Sequence, residues 1–454
     1  AVLVAVVVYV AVRRFRGLWV AILISSIVVA FVPFSLPAPS YNTLAMQGLV
    51  LSLCLVTIAS TATQSGSRWS GSLLMFAAGV SAGVAVIANP PWIIAGITLC
   101  IALLAAKQWK DLLWGVSGAT FIAIAWLILV RIALAMDITS IFRFTMAVGA
   151  SDVPIIEYAI GRIAFFGEKP AFTSLVLVAV GAGALVRWAG TTRPVPQVVG
   201  VGIAAVTLIS GFALGPFLYL QSHDVIFLTA AFGFLPAGFA SRTSTDFASP
   251  LVRSLRLMYW VGFSAGLTAS WFATQGWLNF PLGALPAAIA SLIVGTNSPK
   301  SHQARWFSFP ILPLVAILPI LHSTLWYVYG DPRSEQPVTR VASGPYAGLL
   351  TSEVKAPFLV DLMRSIERVC PTTGSRLFPG LPAAYLLSDR PPAALSPWSL
   401  QPRTEEGERL FQEFYSDPGN QPSCVALLAG SPMSQAESAL LESYEVRDSM
   451  LYPD

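Results

Sequence analysis

SGSLLMFAAGVSAGVAVIANPPWIIAGITLCIALLAAKQWK, residues 70–110, decides the fold. Two apolar runs flank Asn89-Pro90-Pro91, with Arg68 ahead of the first and Lys107 and Lys110 behind the second. Each run approaches the roughly 20 residues that a helix needs to cross a bilayer core. Proline cannot continue a helix and drives its predecessor out of the α region, so the triplet reads as the turn of a membrane hairpin. Basic residues bracket the open end and none sits at the turn, which points the open end to the cytoplasm and the turn outward.

The same character extends both ways along the chain. Of 454 residues, 55% are hydrophobic and only 11% charged, against about a quarter charged in soluble domains. This predicts a polytopic α-helical membrane protein of 11–12 transmembrane helices: a partial span at 1–12 and full spans near 17–35, 43–60, 72–88, 91–106, 111–135, 171–188, 197–220, 224–240, 256–273, 280–296 and 307–329. Alternating sides from the hairpin, thirteen basic residues between Arg13 and Arg305 fall on the inner face, and Arg131, Arg143, Arg162 and Lys169 on the outer. That is the asymmetry of the positive-inside rule. The opening AVLVAVVVYVAVRRFRG lacks a charged leader and reads as the interior of a longer protein.

Charge changes sign near residue 330. Residues 1–329 hold 17 Lys+Arg and 7 Asp+Glu, and residues 330–454 hold 10 and 16. The net +4 therefore averages a basic membrane domain (1–329) and an acidic tail (330–454), and a basic stripe for nucleic acid is absent. The tail reads as a small extracytoplasmic α/β domain: helices over 352–369, 404–416 and 434–443, strands over 375–378 and 424–429, and a linker over 331–339. If that tail is outside, Cys370 and Cys424 are a candidate disulfide. Cys54 and Cys100 fall in spans as packing residues.

The longest outer connection, Met136 to Pro170, carries Asp137, Arg143, Asp152, Glu157, Arg162, Glu168 and Lys169. Within it Ile156, Ala159, Ile160, Ile163 and Phe166 recur at helical spacing, which predicts a segment lying along the interface. Ionisable groups near hydrocarbon are costly unless they face a cavity or a partner, so the outer ones are the candidate site. Arg131, Arg143, Arg162 and Lys169 are candidates for a lipid phosphate, which guanidinium matches with paired hydrogen bonds; snorkelling to the headgroups is the competing reading. Tyr41, Asn42, Asp137, Asp152, Glu157, His223 and Asp224 are candidates for substrate or a metal ion, against solvated loop charges. His223-Asp224 reads first as a helix start capped by Ser222, because adjacent helix positions do not face each other. Trp92 and Trp277 lie near span ends and read mainly as part of an interfacial aromatic belt, with no specific signal for the alternative of sugar stacking.

Several stretches together resemble the GT-C superfamily of membrane glycosyltransferases, which includes dolichyl-phosphate-mannose protein mannosyltransferases and bacterial lipid A aminoarabinose transferases. They are VYVAVRRFRG (8–17), PAPSYNTLAMQGLVLSL (37–53), GVSAGVAVIANPPWIIAG (79–96) and, in the tail, SGPYAGLLTSEVKAPFLVDLMRSIERVCP (343–371) with AAYLLSDRPPA (383–393). The resemblance implies sugar transfer from a polyprenyl-phosphate donor to a glycan, lipid or protein acceptor at the outer face of a bacterial plasma membrane, often with a divalent metal ion. It also places the catalytic acid in a first outer loop that no residue here matches, so the resemblance assigns no catalytic residue. A transporter or flippase, with paired broken helices in two halves, and a catalytically inactive scaffold displaying the tail are the alternatives.

Overall fold

The computed structural model describes residues 1–14, 16–33, 40–64, 68–133, 155–189, 193–215, 221–239, 250–272, 276–296, 311–325, 338–343, 347–348, 350–353, 355–370, 374–378, 405–426 and 435–442. The chain divides into two compact units, Ala1–Trp126 with Tyr158–Pro332, and Leu127–Glu157 with Arg333–Asp454.

The first unit is helical: α1 (Val2–Arg13), α2 (Leu18–Ala30), α3 (Tyr41–Gln64), α4 (Arg68–Ala88), α5 (Ile93–Ala105), α6 (Trp109–Ile128), α7 (Ile155–Glu168), α8 (Pro170–Ala189), α9 (Pro194–Leu214), α10 (Gln221–Phe232), α11 (Pro250–Phe272), α12 (Phe280–Gly295) and α13 (Ile311–Leu325), with α6 and α7 running on into the second. Among the described residues, six stretches are long and apolar enough to cross a membrane: Tyr41–Ser60, Ser70–Ala88, Trp109–Ile132, Pro170–Ala189, Val195–Leu214 and Gly276–Gly295. Val2–Arg13, Leu18–Ala30, Pro90–Ala105 and Ile311–His322 are apolar but shorter. The expectation of full-length spans at 17–35 and 91–106 is corrected to these shorter helices; of the span expected at 307–329, Ile311–Leu325 is helical and both ends lie outside the described residues. The span expected at 224–240 is helical over Gln221–Phe232, 12 residues, a rise of about 18 Å against a core of about 30 Å.

The Asn-Pro-Pro turn forms where its prolines require it. Helix α4 ends at Ala88, Pro90–Trp92 makes one 3-10 turn, and α5 starts at Ile93. The arms then go mainly to different neighbours, α4 to α3 and α5 to α11. Small residues explain the choice. A Cβ on Gly48 would meet the Ser81 carbonyl of α4, one on Gly79 the backbone of Gly115 in α6, and one on Gly118 the backbone of Phe76. Helices surrounded by lipid gain little from hydrophobicity alone, so close backbone approach at such seams decides pairing. Helices α11 and α12 use the same device, with Gly262 against Pro286 and Ala287, and Gly283 against Ala265.

At the centre lies α10, all twelve residues of which are buried, packed by α8, α9, α12 and α13. Buried hydroxyls bond back into their own helices, Thr229 to the Val225 carbonyl at 2.7 Å and Ser291 to that of Ala287 at 2.7 Å. This satisfies them where no water is present. The Tyr259 hydroxyl ties α11 to α10 by donating to the Ala230 carbonyl at 2.8 Å. At the far end, Arg16 donates from Nε and Nη2 to the Ile293 carbonyl in the last turn of α12, at 3.2 and 2.9 Å. A cation there suits the negative end of the helix dipole, and burial pushes this guanidinium down to about 10.

Helix α7 has the expected apolar stripe, with one change. Ile156, Ile160 and Ile163 are exposed, whereas Phe166 turns to the bundle and meets Trp277 edge-on at 4.8 Å.

In the second unit, β1 (Val338–Arg340) pairs antiparallel with β2 (Leu350–Ser352), and β3 (Arg376–Leu377) pairs parallel with β4 (Cys424–Val425). The first pair includes residues read from sequence as linker. Consecutive strand residues face opposite sides. Accordingly Phe378 packs with Ile366 and Leu362 of α14 (Lys355–Val369), and Leu377 packs with Phe411 and Tyr415 of α15 (Glu405–Ser416). The last described helix is α16 (Gln435–Leu441). Cys370 and Cys424 are joined by a disulfide with Cα atoms 5.5 Å apart.

Candidate functional site

The first turn of α10 concentrates polarity where the bundle is otherwise apolar. Gln221 is 7% exposed, Ser222 1%, and His223 and Asp224 0%. The helix begins at Gln221, two residues before the start implied by a Ser222 cap. All four side chains therefore belong to the turn itself. The capping role expected of Ser222 is corrected: its Oγ, like Gln221 Oε1, has no hydrogen-bond partner among the described residues. The His223 ring packs edge-on against Phe31 at the end of α2, 5.0 Å between centroids. The Asp224 carboxylate lies over Gly215, the residue that ends α9.

A second element meets this turn. Phe227, one turn along α10, touches Phe280 at 4.3 Å and Trp277 at 6.1 Å. Asn279 precedes Phe280 at the start of α12. Asn279 is 6% exposed, and its Nδ2 has no partner among the described residues. The Trp277 indole donates to the Arg162 carbonyl at 2.8 Å. The Arg162 guanidinium lies over Gly276, where a Cβ would displace it. Gly276 has φ +59°, which favours glycine on backbone grounds as well. Arg162 of α7, Gly276-Trp277 and the aromatic residues Phe166 and Phe172 are thus linked to α10 through Phe227, one turn beyond the polar residues.

The other sequence candidates fall elsewhere. Asp137, Arg143 and Asp152 lie outside the described residues. Arg131 is exposed in the π-helical turn Leu129–Ala133 that extends α6, in the other unit. Glu157 and Lys169 are exposed. Tyr41 is exposed and Asn42 buried at the start of α3, where Ser40 Oγ accepts the Thr43 amide at 3.1 Å. Trp92 is 1% exposed and offers no face for sugar stacking, and Trp277 is half-buried with its ring meeting Phe166, Phe227 and Phe280. Among the described residues there is no group of three or more His, Cys, Asp or Glu side chains able to hold a metal ion.

Gln221, Asn279, Gly215 and Gly276 were not singled out in the sequence. The signal for Gln221 was its place beside Ser-His-Asp at a helix start. The other three are defined by contacts across more than eight positions of chain. Comparison of the chain with protein-family profiles, curated proteins and solved structures finds no match.

Proposed function

We propose that the protein is an integral membrane glycosyltransferase that moves a sugar from a polyprenyl-phosphate donor to a glycan, lipid or protein acceptor, and that the first turn of α10 holds the polar ligand. One observation carries this reading: Gln221, Ser222, His223 and Asp224 are buried together in one helical turn of an apolar bundle. A buried hydroxyl or amide without a partner costs about 1–3 kcal/mol, so such a turn serves binding better than stability. Hydroxyl, amides and carboxylate together match the mixed donors and acceptors of a sugar.

In the reaction, an acceptor oxygen bonds to the anomeric carbon, the carbon–phosphate oxygen bond breaks, and the lipid phosphate leaves. Asp224 or His223 takes the proton from the acceptor hydroxyl. Arg162 offers the departing phosphate a guanidinium fork. The divalent ion implied by resemblance is not assigned to any of these steps.

Residues 330–454 form, on this reading, an extracytoplasmic α/β domain on a bacterial plasma membrane. The inner excess of basic residues and the Cys370–Cys424 disulfide support that side.

The test is transfer of labelled sugar from polyprenyl phosphates by the full-length protein in liposomes. Transfer is expected, with Asp224→Asn and His223→Ala each slower by about 10² or more. Unchanged rates in both variants would remove the site. Label that crosses the bilayer without joining an acceptor would identify a flippase instead.

A further inference from the structure

The geometry points to Gly215 as a positioning residue: its missing side chain is the socket that fixes the Asp224 carboxylate. This rests on the reading that Asp224 serves the site. Gly215 has φ −64° and ψ 155°, a conformation that every residue adopts, so backbone freedom does not explain a glycine here. Space does. A Cβ built on Gly215 would overlap Oδ2 and Cγ of Asp224 and also the Gly211 carbonyl oxygen. By contrast, Gly202 in the same helix and Gly96 in α5 have nothing where a Cβ would go.

Neither partner can retreat easily. The Gly215 amide donates to the Gly211 carbonyl at 2.9 Å, closing α9, and a swing of the backbone would break that bond. Asp224 sits in a buried turn whose preceding His223 packs on Phe31. Any side chain at 215 therefore presses on the carboxylate as well as on the Gly211 carbonyl of α9. A shift of about 1 Å in a group that handles the reacting proton slows chemistry by up to about 10².

The experiment compares full-length parent, Gly215→Ala, Asp224→Ala and the double variant by thermal unfolding in detergent and by the pH profile of sugar transfer. Gly215→Ala is expected to lower Tm by several degrees in the parent and by clearly less in the Asp224→Ala background, where the shortened side chain vacates the socket and only the Gly211 carbonyl still opposes the added methyl. It is also expected to slow transfer about tenfold or more, with an altered pH profile, and to add nothing to the loss in Asp224→Ala. If Gly215→Ala fails to accumulate while the double variant does, the same conclusion follows. An equal Tm loss in both backgrounds, or an unaltered rate and pH profile in Gly215→Ala, would overturn the inference. Full transfer by Asp224→Ala would sink the catalytic reading alone, and the unfolding comparison would still decide the socket.

Discussion

Glycine at residue scale supplies space here more often than backbone freedom. Gly276 needs both, with φ +59° and the Arg162 guanidinium where a Cβ would stand. Gly276→Ala is expected to destabilise by about 1–3 kcal/mol. Gly17→Ala, at an open extended position, should stay within about 0.5 kcal/mol, and thermal unfolding in detergent separates the two. Arg16 gives a pH expectation. Its folded value, about 10, lies below the ordinary one of 12.5. The folded protein thus releases this proton before the unfolded chain does. Stability linked to it rises as pH climbs through and above 10, and a flat response is expected around neutrality. His223 and Asp224 were legible as chemistry-bearing residues in the sequence. Their burial was not, since a Ser-His-Asp run looks alike at an exposed cap and inside a bundle.

Among elements, the hairpin was readable because proline acts on its immediate neighbours. Where the arms go was not, since α4 and α5 are both uniformly apolar. Helix α6 is mostly exposed along its length, apart from a small-residue seam with α4 at Gly79, Gly115 and Gly118. Gly79→Leu or Gly118→Leu is expected to cost about 2 kcal/mol or more, read as a lower unfolding midpoint, whereas Gly96→Leu on an open face should not. In the C-terminal unit the disulfide closes a sequence separation of 54 residues. Removing it with Cys370→Ala and Cys424→Ala together is expected to cost about 3–4 kcal/mol on the chain-entropy model. Loss of stability on adding reductant to the parent, and no response in the double variant, checks this. The β1–β2 pair escaped the sequence reading because two three-residue strands carry too little periodicity to oppose a Pro-bearing linker.

For the whole molecule, orientation is the property open to direct measurement. An impermeant thiol reagent applied to intact cells after reduction is expected to label Cys370 and Cys424. Labelling confined to inverted vesicles would reverse the topology and move the polar turn of α10 to the cytosolic end. Composition and proline punctuation by themselves determined that this is a helical membrane protein, roughly where its helices begin and end, and that its charge divides near residue 330. Those properties depend on local backbone chemistry and on the bilayer, both of which act on each segment separately. Only the tertiary structure decided which helices touch, that α10 is the buried hub, and that Asp224 in its first turn meets Gly215 at the end of α9. Apolar surface alone does not specify a partner; close contacts between small residues far apart in the chain do, and they exist only once the helices have packed.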